Sequence, residues 1–164
     1  MPEPISVEVC NRQRTRRINL PLLREAIRWL ATDWPAESGC KRNTPPPVLG
    51  GKLCVHLIAA AAMTGLNGKF LGHAGSTDVI SFDYREHPAQ KNWCGEIYVS
   101  VDDAVAWAPR YRASWQTELT RYVVHGMLHL RGHDDKHPAA RRKMKREESR
   151  LLKKLSRRFD LSKL

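Results

Sequence analysis

Four of the chain's seven histidines, His125, His129, His133 and His137, fall within thirteen positions of the stretch VVHGMLHLRGHDDKH. His125 and His129 are four apart, so on a helix both side chains leave one face with Cβ atoms roughly 5–6 Å apart. One divalent cation can bridge that gap. Zinc takes neutral imidazole nitrogen and carboxylate oxygen, and a catalytic zinc keeps three protein ligands and one open position for water. A helix alone cannot supply the third ligand at a tetrahedral angle, so the chain must turn back. Gly132 permits the turn, and His133, Asp134, Asp135 and His137 follow it as candidates. Histidines near a helix C-terminus can also do no more than complement its dipole. The glycine stop and the density of further ligand types favour a metal.

The elements that must position these groups are legible from periodicity. From Ala113 a helix carries Trp115, Leu119, Val123, Met127 and Leu130 on one apolar stripe and both histidines with it, and Gly132 ends it. A last helix begins after Pro138. Upstream, alternation marks ISVEVCN (5–11) as a strand. LPLLREAIRWLATDW reads as an amphipathic helix capped by Asn19, with Pro21 in its first turn. KLCVHLI (52–58), TDVISFDY (77–84) and WCGEIYVS (93–100) are further strands, with Val79, Ile80 and Phe82 suited to burial. AAAAMTGLNGKF is a short helix expected to end near Gly68, and DDAVAWA is another, with Asp102 or Asp103 at its positive end. Residues 35–51 form a turn-rich connector too short to separate two domains. Four strands and four or five helices without strict βαβ alternation indicate an α+β domain spanning residues 1–164.

Composition bounds the function. A chain of 164 residues with 41% hydrophobic and 27% charged residues is an ordinary globular domain. Its longest apolar run, near LIAAAAM, is far short of a membrane span. The N-terminus has no secretory pattern, so a cytoplasmic location without membrane attachment is expected. Cys10, Cys40, Cys54 and Cys94 stand far apart without a zinc-ribbon spacing and read as buried or incidental thiols. The net charge is +11 and uneven: residues 141–164 hold eleven basic and three acidic side chains, and RQRTRR at 12–17 adds four arginines. Two basic clusters point to a polyanion, nucleic acid before acidic membrane surfaces, although a basic helix can also serve solubility alone. Deleting 141–164 is therefore expected to weaken nucleic-acid binding and flatten its salt dependence.

The run HGMLHLRGHDD resembles the zinc-binding signature of the YbeY family of bacterial endoribonucleases, H-G-x-L-H-L-x-G-aromatic-D-H. LNGKFLGHAGSTDVISF and CGEIYVS resemble two more of its motifs in order, so the likeness covers roughly residues 52–135. It implies an α+β fold, one zinc ion and single-stranded RNA as substrate. It further implies work on the 3′ end of small-subunit (16S) ribosomal RNA and in ribosome quality control, with the small ribosomal subunit as a partner. By this resemblance the metal ligands are His125, His129 and Asp135. Asp135 stands where the family most often has histidine, which lowers the site's charge by one, and His137 or His133 are the alternatives. His133 itself occupies the aromatic position. Leu71 replaces an arginine carried by many members, so phosphate contacts pass to Lys69 or Arg85, with His73 in the matching loop as a further substrate contact.

Gly126 follows His125 where H-E-x-x-H peptidases carry their general base, which disfavours a peptidase and suggests room beside the metal for a phosphodiester. In the resulting mechanism zinc lowers the pKa of water toward about 7 and polarises a phosphoryl oxygen. No catalytic base stands out. Asp78 and Glu96 are candidates with structural roles as their alternatives, Thr77 reads as a loop cap, and His56 faces solvent or packs in the sheet. The rival reading is a non-catalytic RNA-binding assembly factor stabilised by zinc.

Overall fold

Alternation in SVEVCN turns Val7 and Val9 inward and leaves Ser6 and Glu8 outside. The segment forms strand β1 (Ser6–Asn11) in the computed structural model, which describes residues 5–32, 51–84 and 93–164. Helix α1 (Leu20–Thr32) follows, its first turn closed by Asn19, whose side-chain oxygen accepts from the Leu22 amide at 3.2 Å. Leu23, Ala26, Ile27 and Leu30 are its buried stripe. Strand β2 (Lys52–Ile58) pairs parallel to β1, and β4 (Trp93–Ser100) pairs parallel to β2 on its other side. Strand β3 (Val79–Asp83) closes the order β1-β2-β4-β3, antiparallel to β4. With five α-helices among the described residues the arrangement is α+β, as the element pattern predicts.

Three helices set up the histidines. Helix α3 (Val101–Trp107) leaves β4 directly, capped by Ser100, whose hydroxyl accepts from the Asp103 amide. Helix α4 (Trp115–Leu130) is capped in the same way by Ser114. It lies between the sheet and α5 (Pro138–Arg158), and Leu119, Val123, Met127 and Leu130 are buried in the main core. Gly132 holds φ 87°, a left-handed conformation open to glycine at little cost, and so permits the reversal after α4.

Two expectations change here. Helix α2 (Ala60–Leu66) does not end near Gly68: it runs on as a π-helical turn, Asn67–Leu71, and stops at Gly72, whose φ is 66°. Asn67 secures the extension, since its buried side chain donates to the Gly75 carbonyl at 2.9 Å. The basic C-terminal segment, in turn, is not only a charged surface. Met144, Leu151, Leu155, Phe159, Leu161 and Leu164 all lie in the core, so its basic residues occupy the outer face of a helix whose inner face the fold requires. Deleting 141–164 would therefore remove core along with charge. The connector at 35–50, Cys40 and Arg85 lie outside the described residues, as does the side chain of Cys94.

Candidate metal centre

His125 and His129 stand one helical turn apart on α4, their Nε2 atoms 3.1 Å apart. The turn after Gly132 brings Asp135 back over them, with Oδ2 at 3.6 Å from Nε2 of His125 and 3.9 Å from Nε2 of His129. The opposite ring nitrogens are anchored. Nδ1 of His125 stands 3.0 Å from Oε2 of Glu148 on α5, and Nδ1 of His129 stands 3.2 Å from the His133 carbonyl. Both anchors are acceptors, so each Nδ1 carries its proton and each Nε2 presents a lone pair.

Three electron-pair donors thus converge within 4.8 Å of one another, an arrangement that needs a cation between them. Either an extra proton or a metal ion can supply it. Two nitrogens on a tetrahedral zinc at about 2.0–2.1 Å stand roughly 3.3 Å apart, close to the spacing found. The donor set of two imidazoles and a carboxylate suits the same ion, and carboxylate and carbonyl partners on the far nitrogens are the usual way of orienting metal-binding histidines. Among the described residues this cluster has three members.

The electrostatics follow from burial and from Glu148. Burial by itself would lower the His125 imidazole, but the hydrogen bond and charge of Glu148 outweigh it and the net shift is upward. His129 is lowered, by burial first and by neighbouring His125 second. Burial would raise the Glu148 carboxyl, yet His125 and Arg121 hold it below its ordinary value. Nη1 of Arg121 donates to Oε1 of Glu148 at 3.1 Å. Nε of Arg121 also lies 3.4 Å from Oε2 of buried Glu118, near enough for an ion pair but misaligned for a hydrogen bond. Burial raises the Glu118 carboxyl against that pairing.

The cluster opens on a cleft of about 590 Å³ lined by His125, Asp135, Asp78, Trp107, Tyr111 and Arg141, with Lys145 at its wall. Trp107 and Tyr111 are 42% and 62% exposed, large apolar faces left in water on the same cleft as His125 and Asp135. Sequence reasoning missed both of these and Glu148. The aromatics carry no motif, and the one signal for Glu148 is an acidic pair, Glu147-Glu148, inside an otherwise basic helix.

Of the residues expected at the site, His125, His129 and Asp135 come together. His133 reaches it through its backbone carbonyl, and His137 caps α5 and is exposed. Lys69 and His73 are exposed on the segment around the π-helical turn and do not line the cleft, and Leu71 is exposed beside them. Asp78 lines the cleft, its Oδ1 accepting from the Val79 amide at 2.9 Å and from the Thr77 hydroxyl at 3.1 Å. Glu96 does not. It faces the opposite side of the sheet, where it meets His56, which is buried rather than solvent-facing. Gly126 faces the sheet instead of the space beside the histidines: a Cβ there would fall 2.6 Å from Ile97 Cγ2 and 3.0 Å from Ser81 Oγ. Its small size serves the approach of α4 to the sheet.

A family model described as Endoribonuclease YbeY matches residues 8–156. A curated relative from Thermodesulfovibrio yellowstonii, named Endoribonuclease YbeY, is 31% identical over 156 residues, covering 92% of this chain and 98% of that protein. One of the same name from Salinibacter ruber is 42% identical over 93 residues, covering 53% of this chain and 59% of its own length. Against the first curated relatives it matches, the chain spans somewhat over half of their length. The solution structure of TM1509 from Thermotoga maritima shares the fold, with a TM-score of 0.57 at 21% identity over 92% of this chain and 88% of that one.

Proposed function

The chain belongs to the family of YbeY endoribonucleases, and from that premise we propose that it is a zinc-dependent endoribonuclease specific for single-stranded RNA. We assign it to maturation of the 3′ end of 16S ribosomal RNA and to ribosome quality control, in the cytoplasm and with the small ribosomal subunit as partner. The observation that carries the reading is the convergence of His125, His129 and Asp135, with both far nitrogens anchored, at the edge of a cleft with a basic and aromatic wall.

When bound by these three residues, zinc supplies Lewis-acid polarisation of a phosphoryl oxygen and lowers the pKa of water. The chain's own residues do the rest. Glu148 and the His133 carbonyl keep the imidazoles in the tautomer that presents Nε2 to the cleft. Trp107 and Tyr111 offer exposed faces on which unpaired bases stack, a contact worth about 1–3 kcal/mol per base and blind to sequence. The Arg110 guanidinium, 5.2 Å from the Trp107 ring centroid, adds positive charge beside that platform. Arg141 and Lys145 line the same cleft and neutralise phosphates there. Asp78 is the carboxylate assigned to proton transfer, since it shares the cleft with His125 and Asp135. Lys69 and His73 extend RNA contacts beyond the cleft, and Arg85 is assigned to RNA binding on the sequence resemblance alone.

The test is His129→Ala in highly purified protein. Cleavage of a single-stranded RNA should disappear together with one equivalent of zinc, while circular dichroism and RNA affinity persist, and a chelator should reproduce the loss in the unmodified chain. If fold, affinity and cleavage all fall together, the ion is structural and the non-catalytic assembly-factor reading replaces the enzymatic one.

A further inference from the structure

The sheet's other face holds a second group of ligand-type side chains, far from α4. Cys10 on β1 and Cys54 on β2 place their sulfurs 3.7 Å apart, though 44 residues separate them in sequence. Cys10 stands opposite His56 in the parallel register, and Cys54 precedes His56 by two residues, so all three share one face. One ligand atom from each lies within 4.8 Å of the other two. Two thiolates on a tetrahedral zinc, at about 2.3 Å each, are roughly 3.8 Å apart, which is the spacing found here before any movement.

The imidazole supplies the independent observation. His56 is 5% exposed, and its ring stacks on Tyr98 with centroids 4.3 Å apart at 12°. Its Nε2 lies 3.1 Å from Oε1 of Glu96, whose other oxygen accepts from the hydroxyls of Tyr84 at 3.0 Å and Tyr98 at 3.3 Å. A carboxylate held by two phenols is an acceptor, so His56 carries its proton on Nε2. Nδ1 is then a lone pair, buried and without a hydrogen-bond partner. That is costly unless a ligand meets it. The carboxylate–imidazole arrangement repeats the one between Glu148 and His125, with the two ring nitrogens exchanging roles.

We propose that Cys10, Cys54 and His56 form a second metal site that binds one thiophilic d10 cation, of which Zn2+ is the probe, through two thiolates and Nδ1 of the imidazole. Binding releases one proton from each thiol to solvent and changes no oxidation state. Burial and then the contact with Cys10 push the Cys54 thiol up to about 12, so without a cation Cys54 stays a neutral thiol. The cation would clamp edge strand β1 to β2, a stabilising role separate from the chemistry on α4. Glu8, opposite Cys54 in the register and paired with Lys52, keeps the rim of the site polar.

The experiment uses the full-length, reduced, tag-free chain carrying His129→Ala, so that the α4 cluster contributes little. Titration with Co2+ should give one ion per chain and a thiolate-to-cobalt charge-transfer band in the near ultraviolet, and Zn2+ should displace it while raising Tm. Cys10→Ser should abolish the band and the rise in Tm. Cys10 is only partly buried and so is the safer substitution, with Cys54→Ser as the second variant. Glu96→Gln should weaken binding about 10-fold or more, the usual loss for an outer partner of a metal-binding histidine. In the chain with His129 intact, Cys10→Ser should leave RNA cleavage unchanged, which separates this site from the catalytic reading. A cobalt spectrum without the band, or equal stoichiometry with and without Cys10, overturns the proposal. So does quantitative Cys10–Cys54 disulfide formation, seen as a mass loss of two hydrogens, in protein kept under Zn2+.

Discussion

Replacing Glu148 by alanine tests the reasoning about the metal centre without touching a ligand. Its Oε2 holds Nδ1 of His125 at 3.0 Å and thereby selects the tautomer whose lone pair faces His129 and Asp135. Without it the ring is free to rotate and to protonate Nε2. Losing such an outer partner costs about 10- to 100-fold in metal affinity, or about 1.4–2.7 kcal/mol. Glu148 also accepts from Arg121, but Arg121 keeps Glu118 as a partner, so the stability cost should stay near about 1–3 kcal/mol. Zn2+ titration against a chromophoric chelator measures the affinity, in a Cys10→Ser background so that the ions counted belong to the histidines. Glu148→Gln keeps an acceptor oxygen and should lose less. Glu147→Gln, at a neighbour whose carboxylate pairs with Arg150 at 2.9 Å, should change nothing. The sign of the pH effect follows too. The Glu148 carboxyl is held below its ordinary value, so its contribution is present above about pH 4.5 and fades as pH falls through the lower folded value. Glu148→Ala should flatten stability in that acid window. A folded Glu148→Ala protein that binds zinc as the parent does, or a Glu147→Gln protein equally impaired, would refute the argument.

Gly126→Ala drives a methyl into Ile97, Ser81 and Val79, and should cost about 1–3 kcal/mol of stability, read from the urea midpoint at unchanged m. Trp107→Ala should weaken single-stranded RNA binding by about 1–3 kcal/mol whatever the sequence, with Tyr111→Ala similar, as measured by anisotropy titration. Arg141→Ala with Lys145→Ala should lower the magnitude of the slope of log affinity against log salt by about 1–2, because two phosphate contacts are removed. This pair replaces deletion of residues 141–164 as the test of the basic helix, since the deletion also removes Met144, Leu151 and Leu155 from the core. Zinc affinity at the α4 cluster should fall as pH drops, because protons compete for His125, whose imidazole is shifted upward in the metal-free protein.

Much of this protein is legible in one dimension because the interactions concerned are local. The limits of β2 and β4, the cap at Asn19, and the helical pairing of His125 with His129 depend on periods of two and 3.6 residues and on side chains three or four positions apart. Gly132 is local as well, a single residue free to take a positive φ. The π-helical turn after α2 was not legible, because its reason, the bond from Asn67 to the Gly75 carbonyl, requires the loop to return.

What only the tertiary structure decides is whatever joins residues far apart in the chain. Glu148 meets His125 because α5 packs beside α4, and Trp107 meets the cleft because α3 leaves β4 where it does. Cys10 and Cys54 look unrelated in sequence and touch only because β1 and β2 pair in parallel in one register, which a shift of a single residue would undo by turning one of them to the other face. The same dependence makes Gly126 a packing residue rather than an opening, since the sheet strand facing a helix is chosen by the fold as a whole. Local pattern names the two imidazoles on one helix turn; the groups that orient them, and the neighbours that build a second ligand set on the far face of the sheet, come from long-range pairing that no short window of sequence contains.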